Sequence, residues 1–344
     1  AAVDDETSNV AIGANAMGGA DQGSHANADV DQNVCIGVNA GLGGDFGSSD
    51  LNFTDNIAIG YETMDGTGAI GGENNIFIGT SAGGGSWATA ASVKNVGIGS
   101  YVMDAAMNSS NENTAVGYAS LSSITLGDDN VAMGYAAGND ISTGSHNVML
   151  GVEAGDKTTD VDNAVIIGSQ ACGAIMTSAA DGTVAVGHSA LTALTSGAGN
   201  VAIGYQSLDA TTTGNYNTMM GYQAGTDLPA GSHNNTALGW KSLFSGASSA
   251  TEGNTCIGYK SGFQISTGYR NTLIGASVDV DTGSYDNVTA IGNNFEASQD
   301  DTVFLGNAAT EEVWMASDKG ATVWLDMVRS TTMPAFSVIP ASTQ

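Results

Sequence analysis

The stretch Asn200-Val-Ala-Ile-Gly-Tyr-Gln-Ser-Leu208 returns as Asn217-Thr-Met-Met-Gly-Tyr-Gln-Ala-Gly225. An asparagine, an apolar triplet, a glycine and a Tyr-Gln pair keep their order while the individual apolar residues change. Working outward in both directions, the same pattern begins at Asn9-Val-Ala-Ile-Gly13 and ends at Gly306. Seventeen glycines hold the slot, among them Gly117, Gly134, Gly204, Gly221, Gly239 and Gly258. Their spacing opens at 24 and 23, settles to between 17 and 20, and closes with 14. Such recurrence decides the architecture ahead of any local propensity.

Within each copy the residue directly before the glycine is Ile, Val, Leu or Met, and the one two positions earlier is mostly Val or Thr. These two share one face of a strand, and the residue between them, often Ala, points to the other. A strand apolar on both faces must be covered on both. One face can line the inside of its own coil, and the other requires another chain. Asparagine stands four before the glycine in thirteen copies, and Asn163 and Asn287 stand five before it. There it suits a turn leading into a strand. The segment after the glycine, such as Tyr205–Leu208, reads as a second short strand, with variants ending in Leu or Met partly alternating with variants ending in Gly. Short strands and polar turns at constant length predict an all-β parallel β-solenoid of about 17 coils that associates with other chains.

Composition agrees. Glycine is 49 of 344 residues without a Gly-X-Y period, proline occurs three times, and hydrophobic residues make up 42%. That excludes collagen and disorder. The net charge of −28 argues against nucleic acid and anionic membranes as partners, and is mild support for an extracellular setting where cations screen it. No apolar run is long enough for a membrane helix. Cys35, Cys172 and Cys256 are too few and too scattered for a disulfide framework; Cys35 and Cys256 sit in the slot that Ala usually fills, as small core residues. The opening AAVDDETSN has neither initiator Met nor signal segment, so maturation or a longer product is expected.

The motif Asn-x-Ala-Ile-Gly-Tyr-x-Ser/Ala, best seen at Asn200–Leu208 and Asn217–Gly225, resembles the left-handed β-roll head repeats of trimeric autotransporter adhesins. It is also similar to the tail fibres of tailed phages, especially marine and cyanobacterial ones. The resemblance covers residues 9 to 306 and implies a left-handed, trimeric β-roll shaft over 1–306. Asp301–Asn307 followed by Glu312-Val-Trp looks like the closing segment of phage fibre shafts, giving a neck over 307–332. Met333–Gln344 looks like the first strand of a truncated jelly-roll tip domain. The expectation is a virion tail fibre shaft that projects a receptor-binding tip and aids adhesion. Its partners would be two further copies of itself, other virion tail proteins, and a glycan or protein receptor on the host surface. The rival reading is a bacterial trimeric surface adhesin; a polysaccharide-degrading tailspike ranks below both.

No catalytic set is expected. The acidic residues lie in variable turns rather than in a paired arrangement within a cleft, and no nucleophile elbow, phosphate loop or zinc spacing occurs. His25, His146 and His233 lie in repeated Gly-Ser-His turns and His188 follows a motif glycine, so all four read as solvated turn residues. No cofactor is expected beyond calcium, for which Asp29, Asp31, Asp160, Asp162, Asp279 and Asp281 are weak candidates because such turns set carboxylates beside backbone carbonyls. Tyr205, Tyr222, Trp240 and Tyr259 fill one slot in four consecutive coils. They predict an aromatic ladder that stabilises the stack and, where exposed, offers contacts to sugar rings.

Overall fold

The computed structural model describes residues 8–18, 29–42, 52–67, 71–87, 90–244, 249–307 and 309–310. The chain divides into two compact units, Ala1–Asn307 and Ala308–Gln344. Nearly all of the expected neck and all of the expected jelly-roll strand lie outside the described residues, as does His25.

Each coil contributes one three-residue strand, from Val10–Ile12 to Val303–Leu305, and these form a single seventeen-stranded sheet. Neighbours are parallel and pair in motif register, with Val201 opposite Thr218, Ala202 opposite Met219 and Ile203 opposite Met220. Identical slots therefore stack into columns along the unit. Two short parallel pairs add to it, Phe53–Thr54 with Gly72–Glu73 and Val278–Val280 with Phe295–Ala297. Among the described residues the helical content is one 3₁₀ turn, Ser178–Ala180. The fold is an all-β parallel solenoid.

The segment after the motif glycine is not a second strand. Gln206 and Leu208 take left-handed φ values of 50° and 55°, as do Gln223 (52°) and Gly225 (63°) in the next coil. Every second residue is thus turned back, and the chain rounds the corner as linked tight turns. Its N–H groups still bond adjacent coils, Gln206 to the His188 carbonyl at 3.0 Å and Leu208 to that of Ala224 at 3.0 Å. The backbone groups are satisfied without a second ladder. At the strand end Gly204 has φ +138°, and a Cβ there would stand 2.3 Å from the Gly221 carbonyl oxygen. Glycine is required because the next coil's backbone occupies the space of a side chain.

The asparagines form the innermost structure. Of the thirteen motif asparagines all but the partly buried Asn9 are fully buried, and within each run the amide links its coil to its neighbours. Asn130 donates its backbone N–H and its Nδ2 to the Asn113 Oδ1, both at 3.0 Å, and a second Nδ2 bond to the Gly144 carbonyl at 2.8 Å. Its own Oδ1 accepts from Asn147 N and Nδ2 at 3.1 and 3.0 Å. Both donors and both lone pairs of the amide are used. The ladder runs unbroken from Asn9 to Asn147 and again from Asn200 to Asn271. Asn163 and Asn287, the shifted asparagines, do not join it. They occupy the left-handed turn position, at φ 58° and 55°. Ala164 and Val288 fill the ladder slot instead, donating their N–H groups to the last amide oxygens, those of Asn147 and Asn271, at 2.9 Å.

The alternation of Leu or Met with Gly, four residues after the motif glycine, has a packing cause. That residue shares core space with the inward residue of the same coil's strand. Small inward residues accompany large partners: Ala58 with Met64, Gly97 with Met103, Ala115 with Leu121, Ala202 with Leu208, Ala237 with Leu243. Large inward residues accompany glycine: Cys35 with Gly41, Phe77 with Gly83, Met219 with Gly225, Cys256 with Gly262. In these pairs a Cβ on the glycine would come within 2.4–2.8 Å of the opposing side chain. Ala132 with Gly138 departs from the rule, and Met149 and Leu121 from the two adjacent coils fill that gap. Volume is thus conserved coil by coil, as a close-packed interior demands.

Two expectations follow from these contacts. Asn130→Ala leaves the buried Asn147 N–H and amide without their acceptor and should lower stability by about 3 kcal/mol; Asn130→Asp at neutral pH should cost at least as much, because it buries a carboxylate. Thermal melting of both variants checks this. Separately, Gly225→Leu should destabilise by overpacking against Met219, whereas Met219→Ala with Gly225→Leu reproduces the native Ala202–Leu208 pairing. A double-mutant cycle should show the second substitution rescuing most of the loss, and additive effects would contradict the shared-volume account.

Candidate functional site

Because the coils stack in register, the residue after each motif glycine falls into a column. His188, Tyr205, Tyr222, Trp240 and Tyr259 stack there with ring centroids 5.4, 5.2, 6.3 and 4.9 Å apart and planes within 14°. A shorter column pairs Tyr118 with Tyr135 at 5.5 Å, with Tyr101 edge-on at 5.6 Å. The four predicted residues are brought together, and His188, read from sequence as a turn residue, is the fifth ring. Tyr205, Tyr222, Trp240 and Tyr259 remain between 38% and 50% exposed. Within the column, however, each face lies against the next ring, so the edges are what solvent meets.

Two neighbouring columns were not anticipated. Two residues after the glycine, Gln223 donates to Gln206 at 2.9 Å, and the same column continues as Lys241 and Lys260. Five residues after the glycine, Phe244 and Phe263 stack at 5.2 Å. The Lys241 ammonium stands 5.0 Å from the Trp240 ring centre and 4.6 Å from that of Phe244. That of Lys260 stands 5.0 Å from Phe263 and 5.6 Å from Trp240. Among the described residues neither lysine has a carboxylate at ion-pair distance. The signal was available in the sequence: Lys241–Lys260 and Phe244–Phe263 repeat at the same interval as Trp240–Tyr259.

Beyond Tyr259 the column ends, because the next coil carries Ala276 in that slot. A cavity of about 290 Å³ opens there, bounded by Lys260, Phe263, Asp279, Asn294, Phe295 and Glu296. Asp279 is only 6% exposed. Its carboxylate accepts from Gln264 N at 3.0 Å and Val280 N at 2.9 Å, while Glu296 accepts from Gln264 Nε2 at 3.0 Å.

The acidic turns hold the stack together through their side chains. Asp162 accepts from Ser145 N at 2.7 Å, Asp181 from Asp162 N at 2.9 Å, and Asp160 from Ser178 N at 3.1 Å. Asp29 donates its N–H to Asn52 Oδ1 at 3.2 Å, and the Asp31 carbonyl accepts from Asp55 N at 3.1 Å. His233 belongs to the same kind of link, its Nδ1 accepting from Asn215 N at 3.0 Å. Asp279 and Asp281 differ from the other two pairs. Asp279 lies within the strand Val278–Val280, and the exposed Asp281 follows it. Among the described residues no three His, Cys, Asp or Glu side chains converge on a point suited to a metal ion. His146 Nδ1 lies 3.5 Å from Asp129 Oδ2, an ion pair only when the ring is protonated. The three cysteines are buried and unpaired, and desolvation pushes the Cys35 and Cys172 thiols up to about 12, so they act as core residues.

Compared with known proteins, the chain matches no protein-family model and no curated protein.

Burial pushes the Asp279 carboxyl up to about 6, and burial is also the leading cause of the same rise at Asp209. An unfolded Asp titrates near 3.9, so the folded state binds the proton more tightly. The stabilising contribution is complete below the unfolded value and is lost as pH rises through about 6. Melting temperature should therefore rise when pH falls from 7 to 5. Asp279→Asn should flatten that dependence by an amount on the order of 2 kcal/mol, measured by thermal melts across the range.

Proposed function

We propose that this chain is a non-enzymatic fibre shaft, a homotrimeric left-handed solenoid of a virion tail fibre that carries a receptor-binding tip and aids adhesion to the host surface. The observation behind it is the composition of the sheet's outer face. In all seventeen strands the two outward residues are Val, Ile or Thr and then Ile, Val, Leu or Met. None of the 35 acidic residues of the chain falls there. Ile98, Met133, Leu238 and Ile291 on this face are 40%, 51%, 47% and 41% exposed within one chain.

Seventeen rungs at about 4.8 Å and three residues of width give a strip of roughly 80 by 10 Å, near the ~800 Å² that one partner contributes to a standard interface. A charge-free strip on so acidic a protein is suited to the same strip of another copy, because the two bury against each other without desolvating a carboxylate. The number three, the handedness and the tail-fibre setting rest on the resemblance of the repeat. The role of the carried tip rests on the uniformity of the coils, which present a repeated surface rather than a singular site.

Sedimentation of the protein should give about three times 34.3 kDa. Ile203→Glu with Leu238→Glu places charges on the strip without touching the core, and should yield monomers whose β-sheet circular dichroism is retained. A monomeric wild-type chain would overturn the reading.

A further inference from the structure

We propose that the shelf of Lys241, Lys260, Phe244 and Phe263, with the adjoining cavity, binds a carboxylate-bearing saccharide of the uronic acid class. The inference names a ligand and a place for the adhesive contacts of the proposed fibre, and rests on that reading only for its biological setting.

The argument begins with charge. Lys+Arg number seven against 35 acidic residues, yet two of the seven sit one rung apart, each held against aromatic rings and neither paired with a carboxylate among the described residues. Two ammonium ions on adjacent rungs repel each other, and an anion between them removes that repulsion and adds charge-assisted hydrogen bonds. The cavity supplies the second half. It begins at Lys260 and Phe263 and continues to Asp279, Glu296 and Asn294, whose oxygens accept hydrogen bonds, with Phe295 as a further apolar wall.

A ligand for this surface needs an anionic group at one end, hydroxyl donors a few ångströms away, and an apolar ring face between. A sugar acid has all three. An acidic peptide or polyphosphate supplies the anionic groups but has neither the apolar ring face nor the ring hydroxyl donors. Ring faces are covered within the aromatic column, so the saccharide belongs at its end, where Phe263 and Phe295 line open space. Gln206 and Gln223 fill the lysine slot in the two preceding coils; replacing Lys241 and Lys260 by Gln reproduces that native arrangement and tests the charge without threatening the fold.

The test is calorimetric titration of the full chain at 0.15 M salt with an oligogalacturonate, its carboxyl-reduced neutral counterpart, and oligoglutamate. The oligogalacturonate should bind at least about tenfold more tightly than the other two, and Lys241→Gln with Lys260→Gln should remove about tenfold or more of that affinity. Lys94→Gln, which alters a lysine paired with Glu112 in an earlier coil, should leave it unchanged. Equal binding of the neutral sugar, equal binding of oligoglutamate, no binding of oligogalacturonate, or indifference to the double substitution would each overturn the proposal. Sedimentation of the same samples reads the assembly separately, so failure of one reading is not mistaken for failure of the other.

Discussion

A buried primary amide has two donors and two acceptor lone pairs, and leaving any of them unmet in an apolar interior is costly. A stack of identical asparagines solves this by making each amide the partner of the next. In doing so it fixes the rise, the rotation and the register of each coil that carries it against its neighbour, so that strands of only three residues hold a sheet. Aspartate lacks the donor, and glutamine carries an extra methylene that would push the amide out of line. The motif glycine follows from the same constraint: once the coils are drawn to this spacing, the Gly221 carbonyl lies where a Cβ on Gly204 would go.

The period, the parallel stacking and the inward and outward strand faces were legible because they depend on spacing alone. The asparagine was recognised as a recurrent turn residue, but its burial was not, since the sequence shows that it recurs and not what it touches. The segment after the glycine was misread as strand. Tyr205–Leu208 is a short polar segment with an apolar residue at each end, and alternate left-handed residues such as Gln206 and Leu208 leave no signature when they are not glycine. The Leu/Met and Gly variants were visible; their cause required knowing that the residue concerned faces Met219 or Cys256 of its own coil.

For the candidate site the limit was of another kind. Tyr205 to Tyr259 were found because one slot was followed through consecutive coils. Lys241, Lys260, Phe244 and Phe263 recur at the same interval, but occupy two coils only, too few to separate from turn variation without the distances between them. The acidic pairs looked alike as strings and proved unlike in space, Asp160 and Asp162 bonding backbone N–H groups in turns and Asp279 lying within a strand. Short identical strings carry little information when the surrounding backbone differs.

Volume compensation inside each coil bears on how such a gene changes. Because the inward strand residue and its space-sharing partner lie in the same repeat, as Ala202 with Leu208 or Met219 with Gly225, a repeat carries its own fit. Unequal crossing-over between copies can add or remove whole repeats without mismatching the packing at the join, lengthening or shortening the protein in steps of about 4.8 Å. Ala132 with Gly138 is an exception, since Met149 and Leu121 from flanking repeats complete it, and Gly155 of the next repeat likewise meets Ile166 of the one after. That neighbourhood can be inherited only as a block, so recombination breakpoints between related genes are least tolerated there and freest in self-contained repeats such as those of Ala202 with Leu208 and Met219 with Gly225.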